Sequence, residues 1–373
     1  MQRVVVLGAS GYTGRLAAQA CVRRGLSPVL AGRDSAKLES LAVRLGGALD
    51  VQVADVNRPE SVRALVGPGD VLMTTVGPYL HLGETALRAA VDAGAHYVDL
   101  CGEPPFISRT FDEFGPRAEA GGATLLPAFG HDWVPGNLAA ALALREAGEA
   151  ARGVEIGYFD FLRGRWFTGV PMSIFTSGTR ATLASDAPPD SHTFAGGRVT
   201  HARLGQRVRS FEVDGRRMSA VSYGATEHLV LRRLAPQLTD VEVYLGWFGQ
   251  ASRLMSATIG VMSAASRLPG VGSMQRRRFA KALEVTGEGP DDWPADGVCR
   301  TVAIVRDGGG RELSRVDIQG PDNGYQLTGD LMAWAADRLL GGYAIRAGAC
   351  GPVDGFGLDV VEKELAELGL RRV

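Results

Sequence analysis

The sequence predicts an α/β fold: a doubly wound parallel sheet in an N-terminal domain, a second α+β domain on a mixed or antiparallel sheet, and C-terminal helices returning to the first domain. Three observations predict it. Over residues 1–130, apolar runs of strand length alternate with amphipathic segments of helix length, a pattern that specifies a parallel sheet covered on both faces. Beyond them, strand-like runs lie closer together, separated by Gly/Pro/Asp-rich breaks. From residue 325 helical spacing resumes in "LTGDLMAWAADRLLGG". A chain of 373 residues also exceeds the size at which one core usually keeps growing, so the expected division is 1–130, 131–324 and 325–373.

In the first domain, strands are expected at 3–7, 28–31, 51–54, 70–75, 96–100 and 123–127, and helices near 12–24, 35–45, 59–65, 83–93 and 107–120. Second-domain strands are expected at 153–160, 207–213, 219–223, 241–247, 298–306 and 312–319, with 186–197 a surface loop by composition and 358–370 a last amphipathic helix. The uncharged stretch 254–266 is shorter than the roughly 20 apolar residues a membrane span needs, and reads as a buried or dimer-interface helix. The basic run 276–278 reads as a solvated surface, so membrane contact is not expected.

Composition is that of an ordinary globular protein: 45% hydrophobic, 22% charged, formal net charge -1. Nothing in that balance points to nucleic acid. Four scattered cysteines, Cys21, Cys101, Cys299 and Cys350, form no metal-ligand spacing, and no metal is expected. They read as thiols of a reducing cytoplasm, and the strand that begins within a few residues of Met1 leaves no room for a signal peptide. Arginine far outnumbers lysine, which stands only at positions 37, 281 and 363, a bias that suggests a bacterial genome rich in G and C.

"VVVLGASGYTGR" (4–15) carries the first chemical signal. After a strand, Gly8 permits a tight turn, Gly11 lets backbone approach a pyrophosphate, and Gly14 lets helix and strand pack closely. The turn residues Ser10, Tyr12 and Thr13 would present backbone N–H groups of the helix N-terminus to phosphates. This is a Rossmann-type dinucleotide site in its GxxGxxG variant. In "AGRDSAKL" (31–38), Arg33 stands after the second strand, where a site for NAD usually carries an acid, and Lys37 follows one turn later. Two cations there suit a 2′-phosphate, which favours NADP(H); Asp34, the adjacent acid, is the one residue that would neutralise Arg33. Asp55 and Val56, after the third strand, border the expected adenine position, although an acid there equally serves as a helix cap.

The fourth strand ends at Thr75-Val76, and Gly77-Pro78-Tyr79 turns the chain at the carboxyl edge of the sheet, where such folds bind ligands. Gly77 would admit the nicotinamide ribose, with Pro78 and Tyr79 walling the ring. "VDLCGE" (98–103) reaches the same edge; Glu103 in it would pair with a neighbouring cation, and Cys101 reads as a small buried residue.

"GASGYTGRL", "AGRDSAKL", "TTVGPY", "AGAHYVDLCGE" and "GHDWVPGNL", in this order, resemble the saccharopine dehydrogenase-like NADP-binding family, and within it the trans-acting enoyl reductase branch. The resemblance is specific to about residue 140, beyond which 176–185 and "GYQLTGDLMAWAADRLLGG" are family-like but not diagnostic. It implies NADP(H) as cofactor, a substrate wall built by the second domain, and a homodimer formed through that domain's sheet. Departures lie on the substrate side: Tyr79 for Phe, Cys101 for Thr, and His131-Asp132-Trp133 in place of the family's FDS.

Hydride transfer also calls for a proton donor, and Tyr79 and His131 are the candidates, with Asp132 able to orient His131. Three functions remain open. One is an NADPH-dependent reductase of an activated C=C or C=O in a small or carrier-bound, polyketide- or lipid-like intermediate. The second is an amino-acid or imine (C–N) oxidoreductase, for which Arg163, Arg165 and Arg180 are available. The third is an NADPH-binding protein without catalysis.

Overall fold

The computed structural model describes residues 2–162, 190–247, 249–265, 297–321 and 323–373. Contacts divide the chain into two units, Met1–Val134 with Gly324–Val361, and Pro135–Asn323 with Glu362–Val373. Arg163, Arg165, Arg180, the family-like 176–185 and the basic run 276–278 lie outside the described residues.

The first unit is built on a seven-stranded sheet in the order β15-β6-β5-β4-β1-β2-β3, with every pairing parallel. The strands are β1 (Val4–Leu7), β2 (Val29–Gly32), β3 (Val51–Val53), β4 (Val71–Thr74), β5 (His96–Asp99), β6 (Thr124–Leu126) and β15 (Gly348–Ala349). Central β1 and β4 are buried along their whole length, as continuous apolar runs covered on both faces should be. The helices are α1 (Tyr12–Arg23), α2 (Ser35–Arg44), α3 (Pro59–Arg63), α4 (Tyr79–Ala93), α5 (Pro104–Arg109) and α6 (Gly115–Ala120), the last two joined by a π turn.

From the C-terminal part of the chain come α10 (Gly324–Leu340) and α11 (Pro352–Phe356). α10 lies against α1 at Gly329, where an added Cβ would stand 2.9 Å from the carbonyl carbon of Leu16, so only glycine permits this approach. Arg23 and Asp330 pair at the rim of the contact, 2.6 Å apart. Trp334 of α10 is fully buried, stacked on Phe129 at 6.0 Å and set edge-on to Phe356 at 4.9 Å. The C-terminal part of the chain through Val361 thus completes the core of the first unit, whereas Glu362–Val373, expected with it, belong to the second.

The second unit carries a nine-stranded mixed sheet with the main path β10-β11-β12-β7-β13-β14-β16 and the hairpin β8-β9 alongside β12. Its strands are β7 (Gly153–Leu162), β8 (Asp190–Ala195), β9 (Arg198–Arg203), β10 (Val208–Val213), β11 (Arg216–Ser222), β12 (Asp240–Leu245), β13 (Gly297–Arg306), β14 (Glu312–Gly320) and β16 (Arg371–Arg372). The pair β12–β7 is parallel; the other pairings are antiparallel. One face buries Phe159, Phe161, Phe211, Met218, Tyr244, Val302 and Ile304. Helices α8 (Glu227–Leu234), α9 (Ser252–Ala265) and α12 (Leu358–Glu367) complete the described set with α7 (Val134–Ala147), which begins at the boundary between the units.

One expectation fails here. Residues 190–195 form a strand, not a loop, because Gly196 and Gly197 have φ of 59° and 76°, the backbone of a tight hairpin turn that brings β9 back onto β8. Composition hid the glycine pair that signals it. On α9, Leu254 and Val261, two turns apart, are each 71% exposed, so of the two readings of 254–266 the helix buried within the chain does not hold and the dimer-interface helix is the one left.

Candidate cofactor site

The glycine loop is built as the spacing requires. Gly8 has φ of 88°, and its N–H and that of Ala9 both donate to the Ala31 carbonyl, at 2.9 and 3.1 Å, which ties the loop to β2. A Cβ on Gly14 would stand 2.1 Å from the Gly8 carbonyl oxygen, so the third glycine is what lets α1 start against the end of β1. Gly11 is exposed, and a Cβ there would meet the Gly8 oxygen at 3.3 Å with nothing else inside 4 Å. The backbone at this point is open to a ligand. Ser10, Tyr12 and Thr13 are half-buried around it, and Arg15 donates to the Ser10 carbonyl at 3.1 Å.

Of the helix N-termini at this edge, those of α1 and α4 are treated differently. α1 starts at Gly11 with no side-chain cap. At α4, the fully buried Glu103 carboxylate accepts from the N–H groups of Tyr79 and Leu80, each at 2.7 Å. A carboxylate already satisfies the donors and the positive end of α4, whereas α1 has no side-chain cap at its positive end. Glu103 therefore caps a helix.

Arg33 is exposed directly after β2, and among the described residues no acid pairs with it. The neighbouring Asp34 is engaged elsewhere: it is the N-cap of α2, its carboxylate accepting from Lys37 N–H at 3.1 Å. Lys37 is exposed on the first turn of α2. Asp55 organises the turn before α3, accepting from the Asn57 backbone and side-chain amides at 2.9 and 3.0 Å, and Val56 beside it is 9% exposed.

The end of β4 is stitched to the glycine loop by Thr75, whose hydroxyl donates to the Gly8 carbonyl at 3.2 Å. A Cβ on Gly8 would stand 2.7 Å from that hydroxyl and 2.9 Å from Val76. Val76, Gly77 and Pro78 are half-buried beside it, with a cis Gly77–Pro78 peptide. Tyr79 departs from expectation. It is 4% exposed, its phenol donates to the Thr74 carbonyl at 2.9 Å, and burial together with the nearby Asp99 pushes it well above the usual tyrosine range. A phenol so placed has its hydroxyl committed to the backbone and is a weaker acid than an ordinary tyrosine.

The loop after β6 brings His131 and Asp132, both half-buried, to the same edge. Asp99 at the end of β5 shapes that loop: its buried carboxylate accepts from Ala128 N–H at 2.6 Å and Cys101 N–H at 2.8 Å. Burial raises this acid to about 6 in spite of the two N–H groups. Cys101 is fully buried, its sulfur accepting from Glu103 N–H at 3.2 Å. His131 is set by α10: its N–H donates to Thr328 Oγ1 at 3.1 Å, and a Cβ on Gly324 would stand 2.7 Å from its imidazole Cδ2. Thr75, Thr328 and Gly324 were not singled out by sequence reasoning; the "GYQLTG" run held the last two, without a spacing that ties them to the loop.

The second unit holds its own buried polar cluster. Glu227 is fully buried, bonded to the Tyr158 hydroxyl and to Thr226 Oγ1, which in turn accepts from Asn137 Nδ2 at 3.0 Å. Gly136 leaves room for it, since a Cβ there would stand 2.6 Å from Glu227 Oε1. Burial raises the Glu227 acid to about 7.

Residues 4–126 match the family model described as the saccharopine dehydrogenase NADP binding domain. The first unit thus carries an NADP-binding domain of the saccharopine dehydrogenase type, and the open cradle at Gly8–Gly14 with Arg33 beyond β2 fits such a ligand. The chain is also similar to a "Trans-acting enoyl reductase" of Mycobacterium tuberculosis, 30% identical over 226 residues, covering 57% of this chain and 54% of the relative. A homologous protein of Mycobacterium leprae with the same description is 36% identical over 140 residues, 36% of this chain and 34% of its own. The chain spans about half the length, or less, of the curated relatives it matches. Among solved structures, saccharopine dehydrogenase (L-Glu forming) from Saccharomyces cerevisiae has the same fold, with a TM-score of 0.62 at 13% identity over 100% of this chain and 99% of that one. Homospermidine synthase from Legionella pneumophila gives 0.55 at 11% identity, over 97% and 89%. No helix among the described residues is long and apolar enough to cross a membrane.

Proposed function

We propose that this protein is an NADPH-dependent reductase that delivers a hydride to an activated C=C or C=O of a biosynthetic, polyketide- or lipid-like intermediate, free or carrier-bound. The observation that carries the reading is Arg33, exposed and without an acidic partner among the described residues, at the end of β2 in a chain similar to trans-acting enoyl reductases. Bound NADPH supplies the hydride. The chain's residues do the rest. Arg33 and Lys37 hold the 2′-phosphate, and the α1 N-terminus at Gly11, Tyr12 and Thr13 takes the pyrophosphate. Gly77 and Pro78 give the nicotinamide ribose its surface.

For an enoyl thioester, the hydride adds to the β carbon and a proton to the α carbon, leaving the saturated thioester and NADP+. His131 is the proton donor of this reading, since Tyr79 is locked to the Thr74 carbonyl. A cytoplasmic setting goes with this reading, supported by four buried cysteines with no disulfide.

Stopped-flow oxidation of bound NADPH against enoyl thioesters, ketones and imines tests it. Turnover of an enoyl thioester or ketone is expected. Turnover confined to imines would move the protein to C–N chemistry, and tight NADPH binding without any turnover would make it a binding protein.

A further inference from the structure

The segment that matches an NADP-binding domain ends at residue 126, yet another part of the first unit comes against the glycine loop. Tyr325, the second residue of α10, sets its ring edge-on to the ring of Tyr12, with centroids 5.3 Å apart and an interplanar angle of 80°. Tyr12 follows Gly11 directly and opens α1; on it also lies the Arg15 guanidinium, 5.9 Å from the ring centroid. Both tyrosines are half-buried, at the rim of the cradle and outside the core. The same turn of α10 holds the loop after β6, through Gly324 against the His131 imidazole and Thr328 Oγ1 on the His131 N–H.

The order of the sheet says which half of the edge this is. From β1, the strands β2 and β3 lead toward Arg33 and Asp55, while β4, β5 and β6 lead toward Gly77, Pro78 and His131. Tyr325 belongs to the turn that joins Tyr12 to His131, on the side away from Arg33.

We propose that Tyr325 is a positioning residue for the dinucleotide, fixing Tyr12 of the glycine loop and bounding the nicotinamide half of the site. The proposal rests on the NADPH reading above. It makes the "GYQLT" turn (324–328) a part of the cofactor site that the first 126 residues do not contain. Aromatic packing is the working contact, so the ring matters and its hydroxyl does not.

Calorimetric titration of wild type, Tyr325→Ala and Tyr325→Phe with NADPH and with adenosine 2′,5′-bisphosphate tests it; the second ligand keeps the 2′-phosphate and lacks the nicotinamide half. The expected result is a loss of about threefold to tenfold in NADPH affinity for Tyr325→Ala, corresponding to the worth of one aromatic contact. Adenosine 2′,5′-bisphosphate, which keeps only the 5′-phosphate of the pyrophosphate, should lose clearly less affinity for that variant than NADPH does, at most about twofold, and Tyr325→Phe should keep the wild-type NADPH affinity. Unchanged NADPH affinity in Tyr325→Ala, or equal weakening of both ligands as a general loosening of the fold would produce, overturns the proposal. Should Tyr325→Ala fail to give a cooperative thermal transition, Tyr325→Leu, which keeps apolar bulk without the ring, replaces it in the same titrations. Failure of wild type to bind either ligand removes the NADPH reading itself, and this proposal with it.

Discussion

The Glu103 carboxylate lies 2.7 Å from the Tyr79 amide nitrogen, with its second oxygen 2.7 Å from that of Leu80, so one buried acid closes the first turn of α4. These bonds fix where the Gly77–Pro78 turn ends. Replacing Glu103 by Ala strands two N–H groups and should cost about 2–4 kcal/mol. Gln should cost less, since its oxygen still accepts from one amide while its NH2 meets a second donor. Urea unfolding measures both; a midpoint for Glu103→Ala equal to wild type would mean that α4 finds its cap elsewhere.

Gly14→Ala pushes a methyl to within 2.1 Å of the Gly8 carbonyl oxygen, so α1 must lift off β1. A destabilisation of roughly 1–3 kcal/mol and a larger loss of NADPH affinity are expected. Gly11→Ala meets the same oxygen at 3.3 Å and should be the milder variant for stability. Thermal midpoints ranked the other way would contradict the close-packing role assigned to Gly14.

Tyr79→Phe removes the bond to Thr74 and should cost about 1 kcal/mol of stability with kcat changed less than about threefold. His131→Asn should lower kcat by about a hundredfold or more. The comparison is made on the thioester or ketone that wild type turns over. A large loss of kcat in Tyr79→Phe would return the tyrosine to the chemistry.

Glu227 makes stability depend on pH. Its acid sits at about 7 in the folded chain against 4.5 ordinarily, so between those values the folded state binds the proton that the unfolded state releases. The stabilisation from holding it is complete below about 4.5 and is lost as pH rises through about 7, a change on the order of 3 kcal/mol. Glu227→Gln abolishes this component, so the difference in thermal midpoint between variant and wild type should grow in the variant's favour from pH 5 to pH 8. A difference that is flat across that range would show that Glu227 is ionised throughout.

The first unit was readable because its signals are local. Gly8, Gly11 and Gly14 act through backbone within a few residues of each other, and Arg33 follows its own strand. Residues that act across long sequence separations were not readable. Glu103 reaches back to Tyr79 and Leu80, and Thr328 reaches the His131 amide. No periodicity encodes such a partnership; only the fold brings the pair together. Tyr79 shows the converse failure. A tyrosine at the carboxyl edge looks like a proton donor by type and position, and only burial reveals that its hydroxyl is committed to Thr74. In the second unit the β8–β9 hairpin was lost because Ser, His, Asp and Pro around it outweighed the Gly196-Gly197 turn in a composition-based reading.

Selection of NADPH by Arg33 is tested most directly by fluorescence titration of wild type and Arg33→Ala with NADPH and NADH. Wild type should bind NADPH the more tightly. Arg33→Ala should lose roughly tenfold to a hundredfold for NADPH, the worth of a charge-assisted phosphate contact, and change little for NADH. Equal affinity of wild type for the two cofactors would contradict it.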